Sequence, residues 1–326
     1  MTPHELRARF DALVAAPFEP PPPGSGRTAT RFAELWAVGE DDLSLARLAE
    51  AHADALAILH EAGRTPIAGA SYAVWASAAP GCRVSALCDA DGWRLSGTKR
   101  FCSGLGHVTH ALVTADAPDG VVLFEIPARG TRPESRADTA GWSTDAFAAT
   151  LTGTLHLDSL SVAADSVVGA PGWYLERPGF WHGAIGVAAC WAGGAAALVR
   201  THDRLEVRDG HRAAHAGAMR ADVWEMRSAL ERAAADIDED PADEGQKAMA
   251  LALAVRFVIE RAASDVIRRF GASAGPAPRA FDAAIARRIV ELQLYLLQSH
   301  AERDLEALGR HIDRSLTAPP SEGRAR

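Results

Sequence analysis

The chain has 326 residues, with 34 Lys and Arg against 42 Asp and Glu, and a formal net charge of -8. This acidic balance argues against a nucleic-acid partner and against an anionic membrane surface. The length suggests about two domains. The four cysteines form no CxxC pair and have no histidine at zinc spacing, so we expect a reduced, cytoplasmic chain without a metal site.

The first part of the chain, residues 1–66, is predicted to be a short helical region. Apolar residues recur at helical spacing over residues 1–15 and predict an amphipathic helix. A segment rich in Pro and Gly follows at 17–26 and predicts a linker or an extended arm. Asp42 is a good N-cap for a further helix over 43–62.

Residues 67–170 are predicted to form a β domain, because apolar positions there alternate with period two between turn signals. The central stretch runs from Gly92 to Gly106, GWRLSGTKRFCSGLG, directly after the turn signal Asp91-Gly92. Several short strands joined by turns indicate a small barrel or sandwich. The strand candidates cover residues 71–76, 82–88, 93–101, 108–115, 120–126, 145–150 and 152–158.

Residues 171–315 are predicted to be helical again, and four long helices with short connections indicate a four-helix bundle. The helix candidates cover about 179–204, 213–238, 244–270 and 278–311. In the first of them, Gly183 to Val199 is uncharged for 17 residues. That is short of the ~20 residues of a membrane span, so we expect a buried central helix. The tail, 316–326, is expected to be disordered.

The order of these regions, together with two local motifs, resembles the acyl-CoA dehydrogenase superfamily of flavoproteins. Asp91 to Gly106 is similar to that family's DGxxLxGxKxxxxxG segment, and Leu175 to Val199 is similar to the Glu-Arg opening of its first C-terminal helix. The resemblance implies an α+β multidomain fold with a short N-terminal helical region, a central β-barrel or sandwich and a C-terminal four-helix bundle. It also implies bound FAD.

The resemblance further implies a seat for the flavin ring on the β domain. In the family an aromatic side chain and a hydroxyl lie beside the ring, and Phe101 and Ser103 stand at those positions here. In a regular strand both would point to the face opposite Cys102. The alternative is that Phe101 is a core residue of the barrel. The implied contacts with the flavin lie in two segments, the second flavin loop (Val74 to Gly81) and the central stretch. They are Val74, Trp75, Ser77, Phe101, Cys102 and Ser103.

For the adenosine half of FAD the resemblance implies two further places, both altered in this chain. The family's Arg-x-x-Phe-Gly run corresponds to Arg208-Asp-Gly-His-Arg212, which keeps a pair of cations but has no Phe-Gly. Its GGxG-like loop corresponds to Gly271-Ala-Ser-Ala274. We expect Arg208 and Gly271 to contact the cofactor across a subunit interface.

The catalytic base is the remaining expectation. Alignment on Tyr295 puts Ser299 where most of the family has its glutamate. A minority of the family carries the base as a Glu before an Arg at the start of the first C-terminal helix, which is Glu176 beside Arg177 here. Glu176 is therefore the predicted base, and the alternative is a solvated side chain in a first helical turn.

The implied activity is α,β-dehydrogenation of an acyl-CoA or acyl-carrier thioester, with hydride transfer to FAD. The electron acceptor would be an electron-transfer flavoprotein or oxygen, and the chain would form a homodimer or homotetramer. Two alternatives remain: a non-catalytic subunit of this fold, and a flavin monooxygenase, which needs no carboxylate base.

Overall fold

The computed structural model describes residues 1–16, 18–90, 92–128, 134–205 and 209–311. The expectations for Arg208 and for the tail at 316–326 therefore lie outside the described residues.

Among the residues described before the sheet, three helices form: α1 (Pro3–Ala15), α2 (Thr28–Asp41) and α3 (Leu43–Glu61). The predicted cap of α3 is confirmed, since the Asp42 carboxylate accepts the Leu45 amide at 2.9 Å. The sequence patterns predicted no helix over α2. Its apolar face, which includes Phe32 and Leu35, is buried in the core.

The strands form one mixed sheet in the order β6-β7-β3-β2-β4-β5-β8, and β1 pairs in parallel with β4. The strands are β1 (Tyr72–Trp75), β2 (Val84–Asp89), β3 (Gly92–Cys102), β4 (His110–Ala117), β5 (Gly120–Pro127), β6 (Ser135–Asp138), β7 (Gly153–Val162) and β8 (Val167–Val168). The long antiparallel pair of β3 and β7 carries the central stretch.

One expectation for the sheet was wrong, and one strand was not predicted. The predicted strand at 145–150 is a loop ending in a 3₁₀ turn, Ala148–Thr150. The residues on either side of that turn, Phe147 and Leu151, have φ of 58° and 50°, which no strand adopts. In addition, β6 had no sequence signal, because its four residues, SRAD, are mostly polar.

In the described part of the chain, seven helices follow the sheet: α4 (Trp173–Glu176), α5 (Pro178–Asp203), α6 (Gly210–Glu239), α7 (Ala248–Ala274), α8 (Ala277–Phe281), α9 (Ala283–Leu296) and α10 (Glu302–Arg310). The long helix predicted over 278–311 is thus three helices. Asp282 caps α9 by accepting the Ala284 amide at 2.9 Å. Ala301, at φ 47°, redirects the chain before α10.

The apolar helix α5 is the centre of the helical region. Among the described residues it is the one helix long and apolar enough to cross a membrane, and 89% of its most apolar window is buried inside the protein. Its glycines allow close approach, since a Cβ on Gly193 would overlap the Trp36 carbonyl oxygen of α2. The expectation of a buried core helix is confirmed. So is the predicted order of helices, central sheet and helices.

Candidate functional site

The ends of β1 and β3 lie against each other and bring most of the predicted ring contacts together. The Trp75 indole Nε1 donates to the Ser103 carbonyl at 2.9 Å. The Ser77 hydroxyl donates to the carbonyl of Arg100. The loop after β1 is thereby fixed to the last residues of β3.

Lys99 ties this region to the interior of the sheet. Its ammonium donates to the Thr114 hydroxyl at 2.9 Å and contacts the Ser77 carbonyl at 3.4 Å. Burial is the main reason that the pKa of Lys99 is lowered. The buried Lys99 ammonium, with its hydroxyl and carbonyl partners, fixes the backbone next to the predicted ring contacts.

Phe101 lies on the surface, 58% exposed, so the alternative that it belongs to the barrel core is wrong. Its φ is 60°, and the pairing of β3 with β7 shifts register between Lys99 and Cys102, which marks a bulge. Strict alternation along β3 therefore ends before Ser103. The simple expectation of a regular strand face shared by Phe101 and Ser103 does not hold, because the bulge re-aims the phenyl ring.

Ser103 lies in a row of three hydroxyls and is only 6% exposed. The Thr152 hydroxyl donates to Ser103 Oγ at 2.9 Å, and Thr150 lies 2.7 Å from Thr152. Thr150 donates in turn to the Phe147 carbonyl at 2.7 Å. The turn after Ser103 is held to the same segment, since the Gly104 amide donates to the Thr150 carbonyl at 2.9 Å.

Backbone strain is concentrated at this place. Three large apolar residues have positive φ in the described part of the chain: Phe101, Phe147 and Leu151. Phe101 precedes Ser103 by two residues, and the other two flank Thr150. Each such conformation costs on the order of 1–3 kcal/mol and persists where the surroundings impose it, which is a property of functional sites.

The other two predicted ring contacts are mostly inside the protein. Cys102 is fully buried, and its thiol donates to the Lys99 carbonyl at 3.2 Å. Burial raises the pKa of Cys102 to about 12, so this thiol stays protonated and is not a nucleophile. Val74 is half-buried and packs against the apolar cluster around Tyr72.

The structure does not bring Glu176 to the ring contacts. Glu176 is exposed at the end of α4, which packs on β5, and the strands β2 and β4 separate β5 from β3. Its neighbour Arg177 is buried and forms an ion pair of 2.6 Å with Glu61 of α3. Of the two adjacent residues, Glu176 therefore faces solvent and Arg177 lies in the protein interior.

Gly271 also lies apart from the loop after β1. It is inside α7, three residues before that helix ends, and a Cβ there would approach the Arg279 guanidinium of α8 at 3.8 Å. The expected loop is helical because Ala-Ser-Ala continues α7 until Gly275, whose φ is 73°.

Sequence reasoning missed Thr150, Thr152 and Lys99 as parts of this site. Thr150 ends the segment wrongly predicted as a strand, and Thr152 lies directly before β7. Lys99 stood inside the central motif, but only the structure shows that its ammonium is buried. Within the described ranges no group of three metal-ligating side chains occurs.

The residues at the ends of β1 and β3 fit one edge of a flat heteroaromatic ring. Phe101 offers an exposed apolar face, and Ser103 offers a hydroxyl that lies 2.9 Å from the Thr152 hydroxyl. We call the residues Trp75, Ser77, Phe101 and Ser103 the ring seat. This combination suits the apolar body and polar edge of isoalloxazine.

A cavity of about 410 Å³ lies elsewhere, between α2 and α6. Trp36 and Phe32 line it, and the Arg227 guanidinium sits 5.4 Å from the centre of the Trp36 ring. None of the predicted site residues lines it. This cavity is thus separate from the ring seat.

Comparison with known proteins places the fold. No protein-family model matches the chain, and no curated protein matches it. Dibenzothiophene monooxygenase (TdsC) from Paenibacillus sp. A11-2 matches with a TM-score of 0.74 at 18% identity, over 86% of this chain and 82% of that one. TdsC has also been solved with FMN and indole, and that structure matches with a TM-score of 0.75.

Two other solved structures match to a similar degree. Methanesulfinate monooxygenase MsuC from Pseudomonas fluorescens has a TM-score of 0.71 at 16% identity, covering 86% of this chain and 82% of that one. Butyryl-CoA dehydrogenase from Megasphaera elsdenii has a TM-score of 0.72 at 17% identity, covering 86% and 80%. The chain therefore has the acyl-CoA dehydrogenase fold, which the two monooxygenases also have.

Proposed function

We propose that this chain is a flavin-dependent oxidoreductase and that its reaction is monooxygenation. The observation that carries the proposal is the position of Glu176, the carboxylate predicted as the base. It is exposed at the end of α4, which packs on β5, and the strands β2 and β4 separate β5 from the ring seat on β3.

The choice between the two reactions follows from what each requires. Desaturation of a thioester needs a carboxylate at the α-carbon, opposite the flavin. Monooxygenation needs no such base, because reduced flavin supplies two electrons that let one atom of dioxygen enter the substrate and the other leave as water. TdsC and MsuC, both monooxygenases, support the second reaction at the level of fold.

In this proposal the chain's own residues bind and orient the flavin. Phe101 would offer its exposed apolar face to the ring, and Ser103 would offer its hydroxyl to the ring's polar edge. Ser77 and Trp75 fix the two backbones that form the seat. The Lys99 ammonium contacts the Ser77 carbonyl and so fixes the loop after β1.

The cofactor is FMN or FAD, and FAD is the expectation from the sequence. TdsC has been solved with FMN. Arg208 and Gly271 remain the proposed contacts of an adenosine half. The proposal includes dioxygen as co-substrate, a homo-oligomeric assembly and a cytoplasmic location, which the four free cysteines suit.

Dehydrogenation of an acyl thioester is the second candidate, supported by the match to butyryl-CoA dehydrogenase. In that case Glu176 would have to act on a substrate that reaches around the sheet. Replacement of Glu176 by Gln separates the two reactions. A dehydrogenase would lose most of its turnover, whereas a monooxygenase would keep it.

The first test is flavin binding followed by turnover. The purified chain is mixed with FMN or FAD, separated from free flavin and given either butyryl-CoA without oxygen or indole with reduced flavin and air. We expect bound flavin, oxygenated indole and no bleaching by butyryl-CoA. Bleaching that Glu176→Gln abolishes would establish the dehydrogenase, and a chain that binds neither flavin would leave the non-catalytic subunit.

A further inference from the structure

The cavity of about 410 Å³ between α2 and α6 has an apolar floor that is fixed by the core. Phe32 and Trp36 of α2 and Leu230 of α6 line it, and each is more than nine-tenths buried. Cavities of roughly 300–1,000 Å³ with fixed apolar walls are the usual binding sites of small molecules. The floor therefore suits an apolar group and needs no rearrangement to receive it.

The rim of the cavity carries two opposite charges from neighbouring turns of α6. Arg227 and Glu231 both line the cavity, and residues four apart on a helix have their Cβ atoms about 5–6 Å from each other. Such residues commonly pair, yet among the described residues neither Arg227 nor Glu231 forms an ion pair. The Arg227 guanidinium lies instead over the Trp36 ring, 5.4 Å from its centre.

The third charged residue of the cavity is already neutralised, because Glu40 pairs with Arg200 of α5. The contact of Arg227 with Trp36 uses the charge of the guanidinium and leaves its N–H donors available to a carboxylate. The cavity thus keeps one cation and one anion that can bind a ligand, above an apolar floor.

We propose that this cavity binds a small zwitterion with an apolar side chain, of the chemical class of the aromatic α-amino acids. The Arg227 guanidinium donates to the ligand carboxylate, and Glu231 accepts from the ligand ammonium. The ligand side chain lies on the floor. A ligand with a single charge is disfavoured, because it leaves one of the two rim charges without a partner. This site is independent of the ring seat and of the proposed function.

The test is calorimetric titration of the purified chain with phenylalanine, phenethylamine and hydrocinnamate at millimolar concentration. Phenethylamine lacks the carboxylate and hydrocinnamate lacks the ammonium, while the ring is the same. The chains compared are wild type, Arg227→Gln, Glu231→Gln and the matched control Arg232→Gln. Arg232 is on the same helix, but it pairs with Asp236 at 2.8 Å and does not line the cavity.

We expect wild type and the control to bind phenylalanine alike, and about tenfold more tightly than either single-charge probe, since each rim contact is a hydrogen bond between charged groups. Arg227→Gln should weaken phenylalanine about tenfold and leave phenethylamine no weaker. Glu231→Gln should weaken phenylalanine to a similar degree and leave hydrocinnamate no weaker. Both residues are exposed, so both variants should fold, which urea unfolding checks.

Three results would overturn the inference. One is a wild-type chain that binds phenylalanine no better than the two single-charge probes, or binds none of them. Another is phenylalanine binding that both rim variants leave unchanged, which places the ligand elsewhere. The third is light scattering in which the rim variants dissociate an oligomer that Arg232→Gln keeps, because a second copy of the chain then covers the cavity. Flavin binding should be equal in all four chains, so failure here leaves the proposed function standing.

Discussion

At the scale of single residues, Phe101 combines a strained backbone with an exposed ring. Its φ of 60° is a conformation that glycine adopts without cost, and its side chain is mostly in solvent. Such a residue is expensive for the fold, so its presence is better explained by binding than by stability.

Phe101→Gly should therefore stabilise the fold and weaken the site. We expect the free energy of unfolding to rise by about 0.5–1 kcal/mol, since glycine relieves the positive φ. Flavin affinity should fall, because the ring face is lost. Urea unfolding and flavin titration measure the two effects. Phe281→Gly is the control, an exposed phenylalanine at the last residue of α8 whose φ is not positive, so glycine there relieves no strain and should not stabilise the fold.

His52 on α3 gives a second prediction at this scale. Its Nδ1 accepts the Tyr72 amide at 3.2 Å, and burial lowers its pKa to about 4. Between pH 6.5 and 4 the unfolded chain binds a proton that the folded chain rejects, so stability falls as pH falls through this window. From pH 7 to 5 this single group should cost about 2 kcal/mol.

The comparison variant is His52→Asn, whose side-chain oxygen can still accept the Tyr72 amide. Urea unfolding at pH 7 and pH 5 measures the pH-dependent loss in both chains, and other groups cancel in the difference. Wild type should lose about 2 kcal/mol more than the variant over this range. An equal loss in both would contradict a neutral, buried His52.

The residue scale also shows where the sequence reasoning succeeded and failed. Phe101 and Ser103 could be named from a motif, because the motif is local. The bulge at Phe101 could not be predicted, because phenylalanine seldom has a positive φ and no sequence pattern indicates where it does. The same holds for Phe147 and Leu151, whose conformations turned a predicted strand into a 3₁₀ turn.

At the scale of elements, α3 and α5 meet through charged side chains as well as apolar ones. The Asp54 carboxylate of α3 lies over Gly183 of α5, and Glu61 pairs with Arg177 at 2.6 Å. Arg31 of α2 is almost fully buried beside Asp54, at 3.8 Å. Burial raises the pKa of Asp54, although both cations oppose that shift. The small glycine in α5 is what leaves room for this carboxylate.

Gly183→Ala tests this contact. A Cβ would lie 2.5 Å from the Asp54 carboxylate, so a buried ionic group must move, and we expect a loss of about 1–3 kcal/mol. Gly217→Ala on α6 is the matched control. A Cβ there meets nothing within 4 Å, so alanine should stabilise by about 0.5–1 kcal/mol. Equal effects in urea unfolding would show that Asp54 does not occupy the space over Gly183.

Elements with a strong local signal were predictable, and those that depend on tertiary contacts were not. Asp42 capped α3 as its letters predicted. By contrast, α2 follows a segment of prolines and glycines that masked its apolar periodicity, and its helix is stabilised by packing on α5. The fourth predicted helix broke at Asp282, because an aspartate inside a helical pattern can equally start a new helix.

At the scale of the whole molecule, the helical region exposes large apolar side chains that a single chain leaves uncovered. Trp224 of α6 is 71% exposed and Phe281 of α8 is 91% exposed. We therefore predict a homodimer or homotetramer. Light scattering should give two or four times the chain mass of 34.5 kDa, and a monomer at micromolar concentration would contradict this.

The fold as a whole was predictable because one local motif and the order of helices and strands agreed. The chemistry was less predictable than the fold, because a catalytic base must lie near β3 and the position of Glu176 relative to β3 is set only in the folded sheet. Glu176 lies on α4, which packs on β5, and the strand order puts β2 and β4 between β5 and β3.

The central claim is that the ends of β1 and β3 seat a flavin ring. The most direct measurement is the visible absorption of the purified chain after incubation with FMN or FAD and removal of free flavin, in wild type and in Phe101→Ala. The account predicts a flavin spectrum that stays with the wild-type protein and is reduced in the variant. Flavin that is absent from wild type, or that is retained equally by both chains, would contradict it.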